Sequence, residues 1–497
     1  MRSPRRRTSS STRLADRALG PTTVNVLAID QGTSGTKAVV VDAADRVLSI
    51  AEVPIRPEYR PGGIVEQDPI ELMDSVLVAA HRAVDEAGVP IDAVSLTNQG
   101  ETVLAWDPDS GRPLTPLIVW QDGRAQSITD ELRPHAEAIA GRTGLVLDPY
   151  FSAPKLSWIR KHLTTSGVVT TSDAWILHRL TGSFVTDAST ASRSLVTDLD
   201  SVAYDDQLLR LFGLQGERMP RIAANDEIVG TTGEFGGAIP VGGLVVDQQA
   251  ALLAESCLDA GQAKCTFGTG AFLLANLGAD PVRSRNGLTV SVAWRVRDVT
   301  SYCSDGQVFT AASAIRWLQD TGMLAGSQEI DAIASDDAHG VLCVPALAGL
   351  AAPWWRPDAT ASFQGMSLGS TRADLVTAVI QGLAAQVAEL ADLVSTDMAS
   401  PLTRMRVDGG LTRSAVFMQS VADLLQIPID VYPTPHATPL GAVALARMSI
   451  EPSLTLADAV VAWKPEHTFE PAWSRDRADS FRSEWRGAVD RMLVSGA

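Results

Sequence analysis

Residues 24–37 read VNVLAIDQGTSGTK, and a second apolar run, AVVVD, follows at 38–42. This pattern predicts a strand, a tight hairpin and a second strand, the first of them apolar enough to be covered on both faces of a sheet. The turn carries three hydroxyls and one cation: Thr33, Ser34, Thr36 and Lys37. Turns of this kind bind phosphate through their N–H groups, and Asp30 beside them suits Mg²⁺, which prefers oxygen ligands. The stretch is typical of a magnesium-nucleotide site, although a hairpin whose small residues only complete the turn has the same pattern.

Length, charge and composition exclude several classes of protein. The chain has 497 residues, enough for two or more domains, and its 45% hydrophobic and 20% charged residues are typical of a soluble globular protein. Its net charge of −17 argues against nucleic acid as a partner, because nucleic-acid binding needs clustered Lys and Arg. The most apolar run, about 340–355, contains prolines and is shorter than the ~20 residues of a membrane span, so we expect no membrane segment.

The cysteines and the N-terminus bear on the compartment. The four cysteines form no CxxC pair and have no histidine at metal-ligand spacing, so we interpret them as core thiols of a cytoplasmic protein. Residues 1–22 are rich in Arg and Ser and lack an apolar segment. That composition predicts a disordered tail rather than a secretory signal.

A second hairpin pattern opens the other half of the chain. Residues 264–274 read KCTFGTGAFLL, in which β-forming residues flank a Gly-Thr-Gly turn. Two phosphate-type hairpins, each heading about half of the sequence, form a weak internal repeat. We therefore predict an α/β protein whose two similar domains face each other across a cleft.

Polar or aromatic residues follow several apolar segments, where α/β sheets form their ligand crevices. Glu101 and Trp120 each follow a short strand, and a tryptophan there can pack on the carbon face of a sugar or simply belong to the core. Tyr150 precedes a helical segment and is free to face a ligand. Asp247 lies between a strand and a helix, whose dipole favours the ionised carboxylate, so it suits a base or an Mg²⁺ ligand. An ordinary helix-capping aspartate is the alternative, and we assign no chemistry to 187–194.

Several motifs together resemble the FGGY carbohydrate kinases, and among them the glycerol kinases most closely. They are DQGT (30–33), YxSxxKLxWIxKH (150–162), DQQ (247–249), FGTGAF (267–272), AxFxGM (361–366), DLxxAVIQ (374–381) and DGG (408–410). The resemblance covers about 24–450. It implies two actin- and hexokinase-like (ribonuclease H-like) domains that close over ATP and a sugar. The expected division is a sugar- and phosphate-side domain at 23–254, a nucleotide-side domain at 255–450 and an extension at 451–497.

The resemblance also implies a role for each matching position. Asp247 would be the catalytic base and, with Asp30, would hold Mg²⁺. ATP would be bound by Thr33, Ser34, Lys37, Gly268, Thr269, Arg316, Gly410 and Ser414. The acceptor would lie against Gly100, Glu101, Trp120, Tyr150, Asp247, Gln248 and Phe272. We accordingly expect a small polyol or sugar and ATP as substrates, and a homo-oligomer, either a dimer or a tetramer.

One position departs from the glycerol kinase pattern. Glycerol kinases have Asn-Gln-Arg-Glu where this chain has Asn98-Gln99-Gly100-Glu101. Loss of the arginine removes a donor and opens space, so our hypothesis is that the pocket admits a longer polyol, such as a tetritol or pentitol. Three interpretations stay open at this point: a kinase of glycerol or a near relative, a kinase of a longer polyol or a ketopentose, and a non-catalytic sensor on the same fold. Intact Asp30 and Asp247 argue against the third.

Overall fold

A computed structural model describes residues 24–495, and the predicted disordered tail at 1–22 lies outside this range. The strands of the first half are β1 (Val26–Gly32), β2 (Gly35–Val41), β3 (Val47–Pro54), β4 (Glu58–Arg60), β5 (Ile64–Gln67), β6 (Ala93–Asn98), β7 (Val103–Trp106), β8 (Leu117–Ile118), β9 (Val168–Thr171), β10 (Val185–Asp187), β11 (Thr197–Asp198), β12 (Ala203–Tyr204), β13 (Arg221–Ala223), β14 (Gly230–Thr232) and β15 (Ile239–Val246). Those of the second half are β16 (Ala263–Phe267), β17 (Ala271–Gly278), β18 (Thr289–Val296), β19 (Val299–Val308), β20 (Leu342–Val344), β21 (Ser362–Gln364), β22 (Met405–Asp408), β23 (Ile429–Val431) and β24 (His467–Phe469).

The α-helices connect and cover these strands. They are α1 (Pro69–Ala87), α2 (Gln126–Leu132), α3 (Ala136–Thr143), α4 (Ser152–His162), α5 (Ser172–Thr181), α6 (Ala188–Ser192), α7 (Asp206–Leu211), α8 (Asp247–Ala254), α9 (Ala312–Asp320), α10 (Ile330–Ile333), α11 (Arg372–Asp397), α12 (Ala415–Leu425), α13 (Ala437–Ile450), α14 (Leu456–Ala459) and α15 (Arg475–Ser495). α11 is long and apolar enough to cross a membrane, and it is the one such helix within 24–495, but 89% of its most apolar window is buried inside the protein.

The predicted opening hairpin is confirmed. β1 and β2 pair antiparallel up to Gly32 opposite Gly35, so that Thr33 and Ser34 form the two-residue turn. A Cβ on Gly35 would lie 2.9 Å from the carbonyl oxygen of Val53, which explains the glycine there. The second predicted hairpin is confirmed as well, with β16 and β17 flanking Gly268–Gly270.

The two halves repeat one sheet topology. In the first sheet the order is β14-β15-β6-β1-β2-β3, and in the second it is β18-β19-β17-β16-β22-β23-β24. In each sheet the opening hairpin strand pairs antiparallel with the next strand and parallel with a strand that arrives after a helix. The strands thus run in the same directions around both hairpins, as the predicted repeat requires.

Two helices lie between the sheets and connect the halves. One face of the first sheet packs against α8 and α13, through a cluster that joins Val26 and Ala28 to Leu440 and Val443. α8 and α13 also contact the second sheet through Leu274 and its neighbours. Thus α13, although it comes from the second half of the chain, covers the first sheet.

One predicted element is shorter in the structure. The apolar residues of 340–347 favour a buried strand across that range, whereas β20 covers only Leu342–Val344. Pro345 follows at once, and since proline has no N–H to donate it ends the pairing.

Candidate active site

Two predicted acidic residues lie at the same edge of the first sheet. Asp30 is in β1 and Asp247 directly follows β15, and both strands flank β6 with parallel pairing. Thr97 Oγ1 donates to Asp30 Oδ1 at 2.8 Å, and Lys37 is directly opposite Asp30 on β2. Asp247 is the first residue of α8, and its Oδ1 accepts from the backbone N–H of Gln248 at 2.6 Å. Val246 is the capping residue of α8, so Asp247 is not the helix N-cap of the alternative interpretation.

The electrostatics of this pair suit a divalent cation. Burial, then Asp30 and then Glu101 raise the pKa of Asp247 to about 7, against the opposing charge of Lys264. Burial also raises the pKa of Asp30, although Thr97 and Lys37 act in the other direction. Neighbouring carboxylates that repel each other are stabilised by Mg²⁺, which takes few protein oxygens and keeps waters and phosphate oxygens as its other ligands. Between residues 24 and 495 no larger group of His, Cys, Asp or Glu forms a metal site.

Three aromatic side chains lie close to one another near Asp247 and the first hairpin. The ring centroid of Trp120 lies 5.5 Å from that of Tyr150 and 6.3 Å from that of Phe272, in both cases edge to face. We call these three rings the aromatic cage. Trp120 Nε1 donates to Thr33 Oγ1 at 2.9 Å, so the cage is tied to the first hairpin. Each ring is only partly buried and keeps a surface for a ligand.

Tyr150 is held by a buried lysine. Lys155 is fully buried in α4 and donates its ammonium hydrogens to the backbone carbonyls of Pro149, Tyr150 and Phe151. The three bonds fix the turn that presents Tyr150. This accounts for the lysine in the signature at 150–162 as a positioning residue.

A buried ion-pair cluster forms the end of the cage, and the sequence analysis missed two of its members. Arg193 Nε donates to Glu101 Oε1, and Arg193 Nη1 donates to Asp305 Oδ2 at 2.9 Å. None of the three side chains is more than 5% exposed. Burial, followed by Glu101, raises the pKa of Tyr150 well above its ordinary value. The segment 187–194, to which we assigned no chemistry, thus places Arg193 against two predicted acceptor residues, Glu101 and Tyr150.

Gly100 adopts a backbone conformation that favours glycine. Its φ is +66°, and a Cβ there would lie 2.9 Å from Cγ2 of Val246. Glu101 follows with φ +43°. The strand end is therefore bent sharply, and this bend brings Glu101 to Arg193.

Gln248 is oriented by a second buried lysine that sequence reasoning missed. Lys264 Nζ donates to Gln248 Oε1 at 2.6 Å and to Thr266 Oγ1 at 2.7 Å. Because an ammonium only donates, Gln248 turns its oxygen to the lysine and keeps its NH₂ for another partner. The sequence feature that could have indicated this contact is a lysine, Lys264, within an otherwise apolar strand.

The two hairpin turns are open to solvent, as phosphate loops must be. Ser34 and Thr269 are exposed, and a Cβ on Gly268 would meet nothing closer than 3.9 Å. The second turn is anchored to the start of α9, because Thr269 O accepts from the N–H groups of Ala311 and Ser313 at 2.8 and 3.2 Å.

The predicted nucleotide residues fall into two groups. A Cβ on Gly410 would meet no atom within 4 Å. Gly409 has a φ of +97°, and a Cβ there would lie 2.4 Å from the carbonyl oxygen of Phe267. Arg316 lies exposed on α9. Ser414, by contrast, is buried as the N-cap of α12 and donates to Asp331 Oδ1 at 2.5 Å. Its hydroxyl is thus occupied by the protein itself.

Comparisons with known proteins agree with this geometry. The N-terminal domain of the FGGY family of carbohydrate kinases matches residues 25–254, and its C-terminal domain matches residues 263–450. Glycerol kinase of Thermus brockianus is 39% identical over 94% of this chain and 98% of its own, and glycerol kinase of Bordetella pertussis is 38% identical over 94% and 96%.

Solved structures show the same fold. The ADP complex of Plasmodium falciparum glycerol kinase aligns with a TM-score of 0.89 and 30% identity, over 95% of this chain and 98% of that one. A xylulose kinase from Rhodospirillum rubrum, at 24% identity, shares the fold with a TM-score of 0.85 over 95% and 99%. The predicted two-domain α/β fold and the predicted enzyme class, an ATP-dependent sugar or polyol kinase, are confirmed. The chain belongs to the FGGY family of carbohydrate kinases.

Proposed function

We propose that this protein transfers the γ-phosphoryl group of ATP to a hydroxyl of glycerol or a closely related small polyol. Its nearly full-length similarity to glycerol kinases supports the acceptor class. The observation that carries the proposal is Asp247: a carboxylate with its pKa raised to about 7, at a sheet edge shared with Asp30 and beside the aromatic cage.

In the proposed reaction, Asp247 accepts the proton of the attacking hydroxyl while that oxygen forms its bond to the γ-phosphorus. The bond from the γ-phosphorus to the bridging oxygen breaks, and ADP leaves with that electron pair. Phosphoryl transfer depends mainly on positioning and charge stabilisation. The aromatic cage would hold the carbon skeleton, and Glu101 and Gln248 would bind its hydroxyls.

The two hairpins would hold the nucleotide. Thr33 and Ser34 on one side and Gly268 and Thr269 on the other offer N–H and hydroxyl donors to the phosphates, and Lys37 adds a positive charge. Gly410 leaves room for the adenosine. Asp30 and Asp247 would hold Mg²⁺, which supplies charge neutralisation on the phosphates when bound. The occupied hydroxyl of Ser414 supports a structural role rather than a nucleotide contact.

An acceptor panel tests the proposal. We expect ADP release with ATP and Mg²⁺ to be fastest with glycerol, and slower with erythritol, xylitol and xylulose. ADP release that no three- to five-carbon polyol or ketose stimulates would refute the proposed function.

The pH dependence follows from Asp247. Because the base must be ionised, kcat/KM should fall as the pH drops through about 7, the value to which burial and the neighbouring acids raise its pKa. A bound cation favours the ionised form, so higher Mg²⁺ concentration should move this acid limb to lower pH. If the pH at which kcat/KM falls did not change with Mg²⁺ concentration, the placement of Asp247 at the metal would be contradicted.

A second candidate is a kinase of a tetritol or pentitol, or of a ketopentose. The missing arginine at Gly100 favours it, because the acceptor loses a donor there, although a Cβ at Gly100 would lie only 2.9 Å from Cγ2 of Val246 and the position itself opens no space. The acceptor panel distinguishes the two candidate functions: if the second is correct, a four- or five-carbon acceptor will have a higher kcat/KM than glycerol.

We also propose a cytoplasmic homo-oligomer, a dimer or a tetramer, with neither nucleic acid nor a membrane as a partner. Four buried free cysteines support a reducing compartment. Light scattering of the purified protein tests the oligomeric state.

A further inference from the structure

Arg193 lies beside the aromatic cage and joins the two halves of the chain through ion pairs. It follows α6 in the first half and binds Glu101, from the end of β6, and Asp305, from β19 in the second half. It is 4% exposed. Its position is therefore fixed by two carboxylates, and it brings a cation to the aromatic cage.

The guanidinium keeps donor capacity for a ligand. Nε and Nη1 are engaged by the carboxylates, whereas among the described residues Nη2 has only a 3.5 Å contact, to Tyr150 Oη. The guanidinium carbon lies 5.8 Å from the centroid of the Tyr150 ring. The hydrogens of Nη2 thus lie beside the ring that we place against the acceptor.

The cluster also holds an unused acceptor. Asp305 Oδ1 is buried and has no hydrogen-bond partner among the described residues. Gln307 Nε2 reaches only the other oxygen of Asp305, at 3.4 Å. A buried carboxylate oxygen without a donor is costly, so a ligand hydroxyl that reached it would be stabilised.

The net charge of the cluster selects the kind of ligand. Two carboxylates and one guanidinium form the cluster, and buried Lys155 and Asp247 near Glu101 add one charge of each sign, so one negative charge remains in a buried place, where repulsion of an anion is strong. A neutral hydroxyl can accept from the guanidinium and donate to a carboxylate. An acid group in its place would meet repulsion from both Glu101 and Asp305.

We propose that Arg193 is a specificity-determining residue of the acceptor pocket: it donates from Nη2 to the acceptor hydroxyl farthest from Asp247 and, with Glu101 and Asp305, restricts the enzyme to uncharged polyols. The inference rests on the proposed function and deepens it. Because Gly100 has no side chain, Arg193 is the arginine that serves this end of the pocket.

The test compares glycerol with 1,2-propanediol, which lacks the distal hydroxyl, and with glycerate, which carries an acid there. Wild type should prefer glycerol to either by at least about tenfold in kcat/KM, because an unmatched buried polar site rejects the wrong ligand strongly. In Arg193→Met the preference over propanediol should largely disappear while the KM for ATP stays unchanged. Arg193→Lys should restore part of it.

Arg160→Met is the matched control. Arg160 also forms a partly buried ion pair, with Glu217 at 2.7 Å, and it is not part of the cage. We expect this variant to keep the wild-type preference. A preference that survives unchanged in folded Arg193→Met, or that disappears equally in Arg160→Met, would overturn the inference.

Two further measurements keep the outcome decisive. If Arg193→Met fails to fold, Asp305→Asn is the deciding variant, because it removes one negative charge from the cluster. Glycerate should then inhibit this variant at least several-fold more strongly than wild type. Unchanged inhibition would overturn the inference. Binding of glycerol and of propanediol, followed by tryptophan fluorescence, separates the inference from the proposed function. Selective binding without turnover would refute only the function, whereas equal binding of glycerol and propanediol by wild type would refute only the inference.

Discussion

Asp247→Asn should lower kcat at saturating ATP and Mg²⁺ by about 10²–10⁴-fold, the usual contribution of a general base. Asparagine keeps the shape of the side chain and its acceptor oxygen for the N–H of Gln248, but it takes no proton from the attacking hydroxyl. ADP release under saturating glycerol and ATP measures the loss. Activity above about a tenth of wild type would refute the assignment of the base, since a general base contributes more than that.

Stability distinguishes this loss from unfolding. A carboxyl whose pKa is raised in the folded state stabilises that state at low pH and loses this contribution as the pH rises through the folded pKa, here about 7. Above pH 7 the free energy of unfolding of the asparagine variant should therefore be at least as large as that of wild type. Asp173→Asn is the matched control: burial raises the pKa of that carboxyl to about 6, and Thr186 Oγ1 donates to it at 2.6 Å, away from the cage. Its kcat should match wild type.

Gly441→Ala should cost about 3 kcal/mol of folding free energy or more, because overpacking against rigid backbone is expensive. Gly441 lies in α13, and a Cβ there would stand 1.9 Å from the carbonyl oxygen of Ala250 in α8. Backbone cannot rotate out of the way, so the two helices between the sheets must separate. Urea denaturation followed by circular dichroism measures the change.

Gly141→Ala is the control for this substitution. Gly141 is also inside a helix, α3, but nothing lies within 4 Å of the Cβ it would gain. Alanine there should be neutral or stabilise by up to about 1 kcal/mol, since it reduces the freedom of the unfolded chain. Equal stability of both variants would mean that α8 and α13 are not closely packed.

The parts of the site that were predictable are those encoded by consecutive residues. The hairpin at 24–42, its repeat near Gly268 and the strand-to-helix position of Asp247 each follow from a local pattern. The fold class follows from the two hairpins together, and the family motifs add the enzyme class.

The parts that were missed depend on contacts between distant segments. Arg193 has no local signature, and it becomes important only because Glu101 and Asp305 approach it from 92 and 112 residues away. Asp305 did carry a signal, since a charge in a buried strand needs a partner. From the sequence, Gly100 was interpreted as the loss of an arginine side chain. Its positive φ shows that the glycine also allows the backbone to bend there.

The position of α13 has a consequence for synthesis of the chain. The first sheet is complete once residue 246 has been made, but the helix that covers one of its faces spans Ala437–Ile450. Until nearly two hundred further residues have left the ribosome, apolar side chains such as Val26, Ala28 and Val39 lack part of their cover. The first sheet therefore cannot complete its packing until residues 437–450 have been synthesised.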